Sequence, residues 1–226
     1  MLTYKNDPAL KEMFIKRFAE HRAADDVIQG TGFDNGRGCF IGCTMNAYDH
    51  ESFGNQIADQ WLAHLADAIF EGLPKEDAPQ FGTDLLEAIP VGVDIEPVRW
   101  KLTIWRHKNQ IESLKNNKEE YAIDCVNAIQ GVIRYCESRL YGTAIEESAW
   151  SAARSAWLAA RSARSATESA TWLAARSAAE SAWLAARSAA RSATESATWL
   201  AARSAAESLI HKKEAEMLIK LLKECK

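Results

Sequence analysis

The 226-residue chain lacks any run of about 18 uncharged apolar residues, which argues against a transmembrane helix. Its first residues, MLTYKNDPALKEMF, carry charges where a signal peptide would have an apolar core. Five scattered cysteines are too few for a disulfide scaffold, which is typical of a reducing compartment. These absences predict a cytoplasmic protein without a membrane partner.

A strong excess of basic charge is also missing. The net charge is −4; residues 1–143 carry 15 Lys and Arg against 22 Asp and Glu, and residues 144–226 carry 12 against 9. Neither part has the clustered basic charge with which proteins bind the phosphates of nucleic acids. We therefore expect no nucleic-acid partner.

Alternating patterns typical of β-strands are scarce, and residues 91–95 are the only weak candidate. Apolar residues instead recur at helical spacing. Asp7 and Pro8 are typical of a helix start, and that helix is expected to run to Gly30. A second helix is predicted over residues 56–70, with one apolar face formed by Ile57, Trp61, Leu65, Ala68 and Ile69. The sequence thus predicts an all-α protein with an N-terminal helical globular domain over residues 1–142.

No glycine or proline follows Gly142, and this region contains a tandem repeat. Residues 155–180 read SAWLAARSARSATESATWLAARSAAE, and residues 181–207 repeat them with one added alanine. Alanine gives such a segment high helix propensity, and one helix over residues 144–226 would be about 125 Å long. We predict a repeat helical region over residues 143–208 and a short amphipathic C-terminal helix over residues 209–226.

Tryptophans recur within these repeats, at steps of unequal length. The first step inside the tandem unit is 15 residues, the next is 11, and the added alanine lengthens the third to 16. Eleven-residue spacing is typical of a right-handed coiled coil, although a helical hairpin would also fit the irregular third step. Small Ser and Ala side chains allow helices to approach closely. We therefore predict a homo-oligomer whose contacts are made by Trp150, Trp157, Trp172, Trp183 and Trp199.

Residues 30–44, GTGFDNGRGCFIGCT, hold five glycines and are the best candidate for ligand contact. Glycine-rich backbone presents N–H groups to anions, and an arginine pairs with phosphate or carboxylate. The segment matches neither the dinucleotide fingerprint nor the P-loop. A tight loop with a purely structural role is the alternative. The residues predicted to contact a small anionic or nucleotide ligand are Gly36, Arg37, Gly38, Cys39 and Cys43.

Two cysteines of this loop invite a chemical interpretation. Cys39 and Cys43 lie four residues apart with Asp49 and His50 shortly after, which would suit part of a zinc site, but a complete set of four ligands is not evident. Cys43 paired with His50 or His21 would suit a nucleophile. Buried, inert cysteines explain the pattern more simply. We accordingly predict no catalytic residue, no metal and no cofactor.

Three segments carry a resemblance: residues 21–44 with their Gly-x-Gly-Cys-x3-Cys motif, residues 61–74 (WLAHLADAIFEGLP) and residues 85–94 (LLEAIPVGVD). Together they resemble an uncharacterised family of bacterial and bacteriophage proteins that also carry Ser-Ala-Ala-Arg/Glu/Trp tracts and an amphipathic tail. The resemblance covers most of the chain. It implies no activity, but it implies a phage or mobile-element setting in the host cytoplasm, where counter-defence proteins are common.

The leading expectation is a non-enzymatic, homo-oligomeric interaction protein assembled through its repeats, with a counter-defence role. One alternative is a protein that binds and sequesters a nucleotide signal through the Gly-rich loop. The other alternative is a Cys-dependent hydrolase.

Overall fold

The computed structural model describes residues 1–114, 120–143 and 192–225. This part of the chain is mostly helical, with eight α-helices and a single two-stranded sheet, so the all-α prediction is confirmed. None of the described helices is both long enough and apolar enough to cross a membrane. Most of the repeat region falls outside these residues, as do four of the tryptophans predicted to make oligomer contacts: Trp150, Trp157, Trp172 and Trp183.

The described elements have the following bounds. In chain order they are a 3-10 helix Thr3–Asn6, α1 Pro8–Ala23, β1 Phe33–Asp34, β2 Arg37–Gly38, α2 Phe40–Met45, α3 His50–Gln56, α4 Gln60–Gly72, α5 Ala78–Ala88, α6 Glu96–Leu114, α7 Glu120–Tyr141 and α8 Ser192–Lys223.

Helix α1 begins as the sequence predicts. The Asp7 carboxylate accepts a hydrogen bond from the Ala9 N–H at 2.9 Å, and Pro8 occupies the first turn. The helix ends earlier than expected, at Ala23, because Asp25 takes a left-handed conformation with φ of 58°. The chain therefore reaches Gly30 as an irregular segment.

The hairpin of β1 and β2 is a correction to the sequence prediction, which placed no strand here. Phe33 pairs with Gly38 and Asp34 with Arg37 in antiparallel register. Between them lies an Asn-Gly turn whose φ values are both positive, 49° and 84°. This is the sequence that two-residue hairpins favour, since both central positions require positive φ. The weak strand candidate over residues 91–95 forms only an isolated bridge, between Leu2 and Asp94.

An aromatic cluster forms the core of the N-terminal part. The ring of Phe40, the first residue of α2, lies 5.6 Å from that of Phe18, 5.9 Å from that of Phe53 and 6.4 Å from that of Phe81, measured between centroids. Edge-to-face aromatic pairs at this distance add to the stabilisation from burial. Phe40 thereby joins α1, α3 and α5 around α2.

The buried face of α4 differs from the predicted one. Leu62, Ala63, Ala66, Ile69 and Phe70 are buried, whereas Ala68 is exposed. Of the predicted stripe, Ile57 and Ile69 are buried as expected, whereas Trp61 and Leu65 are only half-buried. Three polar residues, His64, Asp67 and Glu71, lie on the opposite face of α4.

The chain divides into two compact units. One consists of Met1–Leu102 together with Arg203–Lys226, and the other of Thr103–Ala202. The predicted boundaries at residues 142 and 208 stay predictions. In the first unit, helix α8 packs on the N-terminal helices: Leu218 and Leu222 are fully buried, and Lys212 Nζ lies 2.6 Å from Asp77 Oδ2.

The amphipathic tail is not a separate short helix, which corrects the prediction for residues 209–226. It is the last part of α8, which is continuous from Ser192 to Lys223. No glycine or proline interrupts the junction, so helix propensity carries the chain through it. Trp199, the fifth predicted contact residue, belongs to α8.

Replacing Leu218 with alanine should destabilise the first unit by about 2–5 kcal/mol, because the change leaves a cavity at a fully buried position. Urea unfolding followed by circular dichroism measures the loss. The matched control is Leu209→Ala on the same helix, where the side chain is 54% exposed and the cost should stay within about 0.5 kcal/mol. Equal effects of the two substitutions would contradict the docking of α8.

Candidate functional site

The Gly-rich segment owes its glycines to close packing. A Cβ atom at Gly38 or at Gly42 would collide with the carbonyl oxygen of Gly32. A Cβ at Gly32 would in turn collide with the ring of Tyr48. Glycine is therefore required at these three positions by the approach of one stretch of backbone to another and to an aromatic ring.

Backbone amides of the predicted ligand loop donate hydrogen bonds within the protein. The Gly38 N–H donates to Asp26 O at 2.9 Å, and the Cys39 N–H donates to Thr31 O at 2.8 Å. Arg37 is half exposed; its Nη2 donates to Asp25 O at 3.0 Å, and its Nε lies 3.6 Å from Asp26 Oδ1. These contacts give the loop a structural role, and ligand binding by its backbone stays a prediction.

The remaining predicted ligand residues lie in different surroundings. Gly36 is exposed at the hairpin turn. Cys43 is fully buried, and its thiol donates to Gly38 O at 3.3 Å and to Asp26 O at 3.6 Å. Burial raises the pKa of Cys43 to about 11. Its contacts are to backbone carbonyls rather than to a histidine, so this thiol has the character of a core residue.

Cys39 belongs to a polar cluster, the Asp67 cluster, which also contains Tyr48, His50, Asp67 and Glu71. Asp67 and Glu71 lie four residues apart on α4, so they share a face of that helix. Cys39 precedes α2, Tyr48 lies between α2 and α3, and His50 is the first residue of α3. Single ligand atoms of Cys39, Asp67 and Glu71 all lie within 4.8 Å of one another.

Asp67 is the centre of the cluster. Its Oδ2 accepts a hydrogen bond from the Tyr48 hydroxyl at 2.8 Å and lies 3.3 Å from His50 Nε2. The hydrogen bond to this carboxylate raises the pKa of Tyr48 to about 12. Among the described residues, no hydrogen-bond partner reaches Asp67 Oδ1, although that atom is buried. A buried carboxylate oxygen without a donor is costly and marks a position that a cation would suit.

Aromatic rings hold one side of the cluster in place. The imidazoles of His50 and His64 are stacked, with centroids 4.4 Å apart and planes at 14°. The Tyr48 ring meets His50 edge-on at 4.8 Å between centroids. Asp49, which caps α3 by accepting from the Ser52 N–H at 2.9 Å, fixes the start of the helix that carries His50. The donors to Asp67 are thus positioned by packing.

Glu71 completes the opposite side. Its Oε2 accepts from the Gly30 N–H at 2.7 Å, and the neighbouring Gln29 side chain donates to Phe70 O at 2.6 Å and to Leu73 O at 2.9 Å. Gln29 thereby satisfies carbonyls at the C-terminal end of α4. Burial raises the pKa of Glu71. The first residue of the Gly-rich segment, Gly30, therefore contacts α4 through Glu71, and a later residue of the segment, Cys39, belongs to the cluster.

Sequence reasoning found only part of this cluster. Cys39 and His50 were considered together as zinc ligands, whereas Cys43 and Asp49, considered with them, have other roles. Asp67 and Glu71 were missed because a rotated face was assigned to α4. The signal was present as His64-x2-Asp67-x3-Glu71, a polar face opposite a buried one.

Burial and charge make the Cys39 thiol a poor nucleophile. It is 1% exposed, and burial raises its pKa to about 12, with the nearby Asp67 carboxylate adding to the effect. Activated cysteines have lowered pKa values and lie in electropositive, accessible surroundings. The Cys-dependent hydrolase alternative therefore has no support from either thiol of the Gly-rich segment.

A separate open cavity of about 480 Å³ lies beside α1. It is lined by Met13, Lys16, Arg17, Glu20, His21, Asp26 and Asn46. His21 Nε2 is 2.8 Å from Asn46 Oδ1, and Arg17 Nη1 donates to Thr44 O at 3.0 Å. Because Asp26 also pairs with Arg37, the predicted arginine lies next to this cavity.

In the native protein at pH 8, iodoacetamide should label Cys39 and Cys43 at least 100-fold more slowly than in urea. Both side chains are buried, and pKa values near 11 and 12 leave roughly one thiolate in a thousand or fewer. Peptide mapping by mass spectrometry measures labelling at each cysteine. Half-buried Cys225 serves as the internal comparison and should react first. Rapid native labelling of Cys43 would mean that it is an activated thiol after all.

Comparison with known proteins adds no family to this description: no family model matches the chain, and neither a curated protein nor a solved structure is similar to it.

Proposed function

We propose that this chain is a non-enzymatic, homo-oligomeric interaction protein assembled through its repeats. The observation that carries the proposal is that Met1–Leu102 and Arg203–Lys226 form one compact unit. The repeat-bearing residues are therefore inserted between two parts of a folded base.

The composition of the repeats points to a second copy as the partner. Tryptophan has a large apolar surface that is costly to leave in water. In the repeats its sequence neighbours are mostly Ser and Ala, and a single helix of this composition cannot bury its own tryptophans. Two or more copies of the same helix bury Trp side chains against Ser and Ala of their neighbours. The resemblance to bacterial and phage proteins adds a counter-defence setting in the host cytoplasm to this proposal.

Replacing all five repeat tryptophans (Trp150, Trp157, Trp172, Trp183 and Trp199) with alanine in the full chain should convert a defined oligomer into a monomer. Light scattering coupled to size exclusion at micromolar concentration measures the mass. The reason is that the substitutions remove the large apolar groups of the contact but raise helix propensity.

The control for this experiment keeps every tryptophan. Ser155, Ser177, Ser181 and Ser204 become alanine, which preserves small residues at the contact and should leave the oligomer intact. A monomeric wild-type chain, or an oligomer that survives loss of the tryptophans, would refute assembly through the repeats.

We propose as a second candidate that the protein binds a small anionic ligand, such as a nucleotide signal, in the cavity beside α1. The favouring observation is the grouping of Lys16, Arg17 and His21 along one wall of that cavity. Lys16 is mostly exposed, and its ammonium group makes only a long ion pair with Glu20, at 3.9 Å between Nζ and Oε1. A ligand phosphate would compete with this carboxylate for the ammonium group. This candidate uses the neighbourhood of Arg37 rather than the backbone of the Gly-rich loop.

A panel of cyclic and linear nucleotides, with inorganic phosphate included, should raise the melting temperature if this candidate is right. A ligand at about 100 times its Kd stabilises the native state by about 2.7 kcal/mol. Differential scanning fluorimetry measures the shift, which should shrink in Lys16→Ala. The matched variant Lys75→Ala, an exposed lysine away from the cavity lining, should keep the full shift. No shift with any member of the panel, or one independent of Lys16, rejects the candidate.

A further inference from the structure

The Asp67 cluster brings together a set of donors that is typical of a metal site. A thiol and two carboxylates place one ligand atom each within 4.8 Å of the other two. In a tetrahedral zinc site, ligand atoms lie about 3.6 Å apart, so a modest inward movement completes the geometry. Glu71 is exposed, and the movement requires its hydrogen bond from the Gly30 N–H, 2.7 Å long, to lengthen or to shift to the other carboxylate oxygen.

The surroundings orient the Asp67 carboxylate as a metal ligand requires. Tyr48 Oη and His50 Nε2 both lie beside Oδ2, at 2.8 and 3.3 Å, which fixes the plane of the carboxylate. The other oxygen, Oδ1, is buried and has no hydrogen-bond partner among the described residues. In protein metal sites, neighbouring residues commonly hydrogen-bond to one atom of a ligand side chain while another atom of that side chain binds the ion.

The ligand types indicate which ion is suited. Thiolate favours Zn²⁺ and other borderline or soft ions over Mg²⁺ and Ca²⁺, which prefer oxygen ligands alone. Two carboxylates and a thiolate carry three negative charges, which a divalent cation neutralises in large part. The exposed position of Glu71 leaves the fourth coordination position open to solvent.

We propose that Cys39, Asp67 and Glu71 bind a divalent ion of the Zn²⁺ class, with Tyr48 and His50 orienting Asp67. On binding, the Cys39 S–H bond breaks, its proton goes to solvent, and the sulfur lone pair forms the bond to the ion. The ion would join the start of α2 to α4, two elements that the Gly-rich segment also connects. This inference is independent of assembly through the repeats.

Cobalt(II) is the probe, since a Co²⁺–thiolate bond gives a charge-transfer absorption that a carboxylate site lacks. The untagged full chain should bind one Co²⁺, with this absorption, and Zn²⁺ should displace it. Cys39→Ser should abolish the absorption. Cys43→Ser, a change at a buried cysteine of the adjoining helix α2, should retain it.

Because substitution of the buried Cys39 could itself unfold the protein, a second variant tests the site at an exposed residue. Glu71→Gln changes an exposed side chain and keeps an acceptor for the Gly30 N–H, so the helical signal in circular dichroism should be unchanged. It should weaken Co²⁺ binding about tenfold or more. The proposal is overturned if the chain shows no thiolate absorption, if the absorption survives Cys39→Ser, or if Glu71→Gln binds Co²⁺ as tightly as the wild type.

Discussion

The close approach of two backbone stretches is the constraint on which the rest of the N-terminal unit depends. The carbonyl oxygen of Gly32 lies so close to Gly42 that a side chain at residue 42 has no room. A side chain at residue 38 would collide with the same oxygen. This contact fixes the position from which α2 starts. Cys39 is thereby placed beside α4, and Phe40 enters the aromatic core. Without the contact, the core and the Asp67 cluster would both lose their common support.

Asp67 combines two properties that ordinarily conflict in a protein: a carboxylate charge and a position close to the interior. A carboxylate close to the interior is costly unless donors surround it, and within the described part of the chain Asp67 receives donors on one of its two oxygens. A protein optimised only for stability would replace such a group by an apolar one. Its position beside a thiol and a second carboxylate distinguishes this cluster from the rest of the unit.

Local patterns in the sequence predicted local structure well. The helical class follows from apolar spacing, and the start of α1 follows from Asp7 and Pro8, because caps act within a few residues. The hairpin was overlooked although Asn35-Gly36 is its standard turn, because two-residue strands have no room for an alternating pattern. The face of α4 was misplaced by one position, since periodicity leaves the direction of a helix face uncertain when apolar residues surround most of it. The Asp67 cluster joins three separate segments, and no spacing within one segment encodes such a meeting.

The return of α8 to the N-terminal unit has a genetic consequence. Tandem repeats gain and lose copies by recombination, and an event that preserves the reading frame leaves the part of α8 after the repeats, residues 208–223, unchanged. An event that shifts the frame replaces Leu218 and Leu222, and the base then loses two fully buried side chains. Folding of this unit therefore depends on the reading frame being kept through the repeats. A frameshift within the repeats therefore yields a chain that quality-control proteases recognise as unfolded.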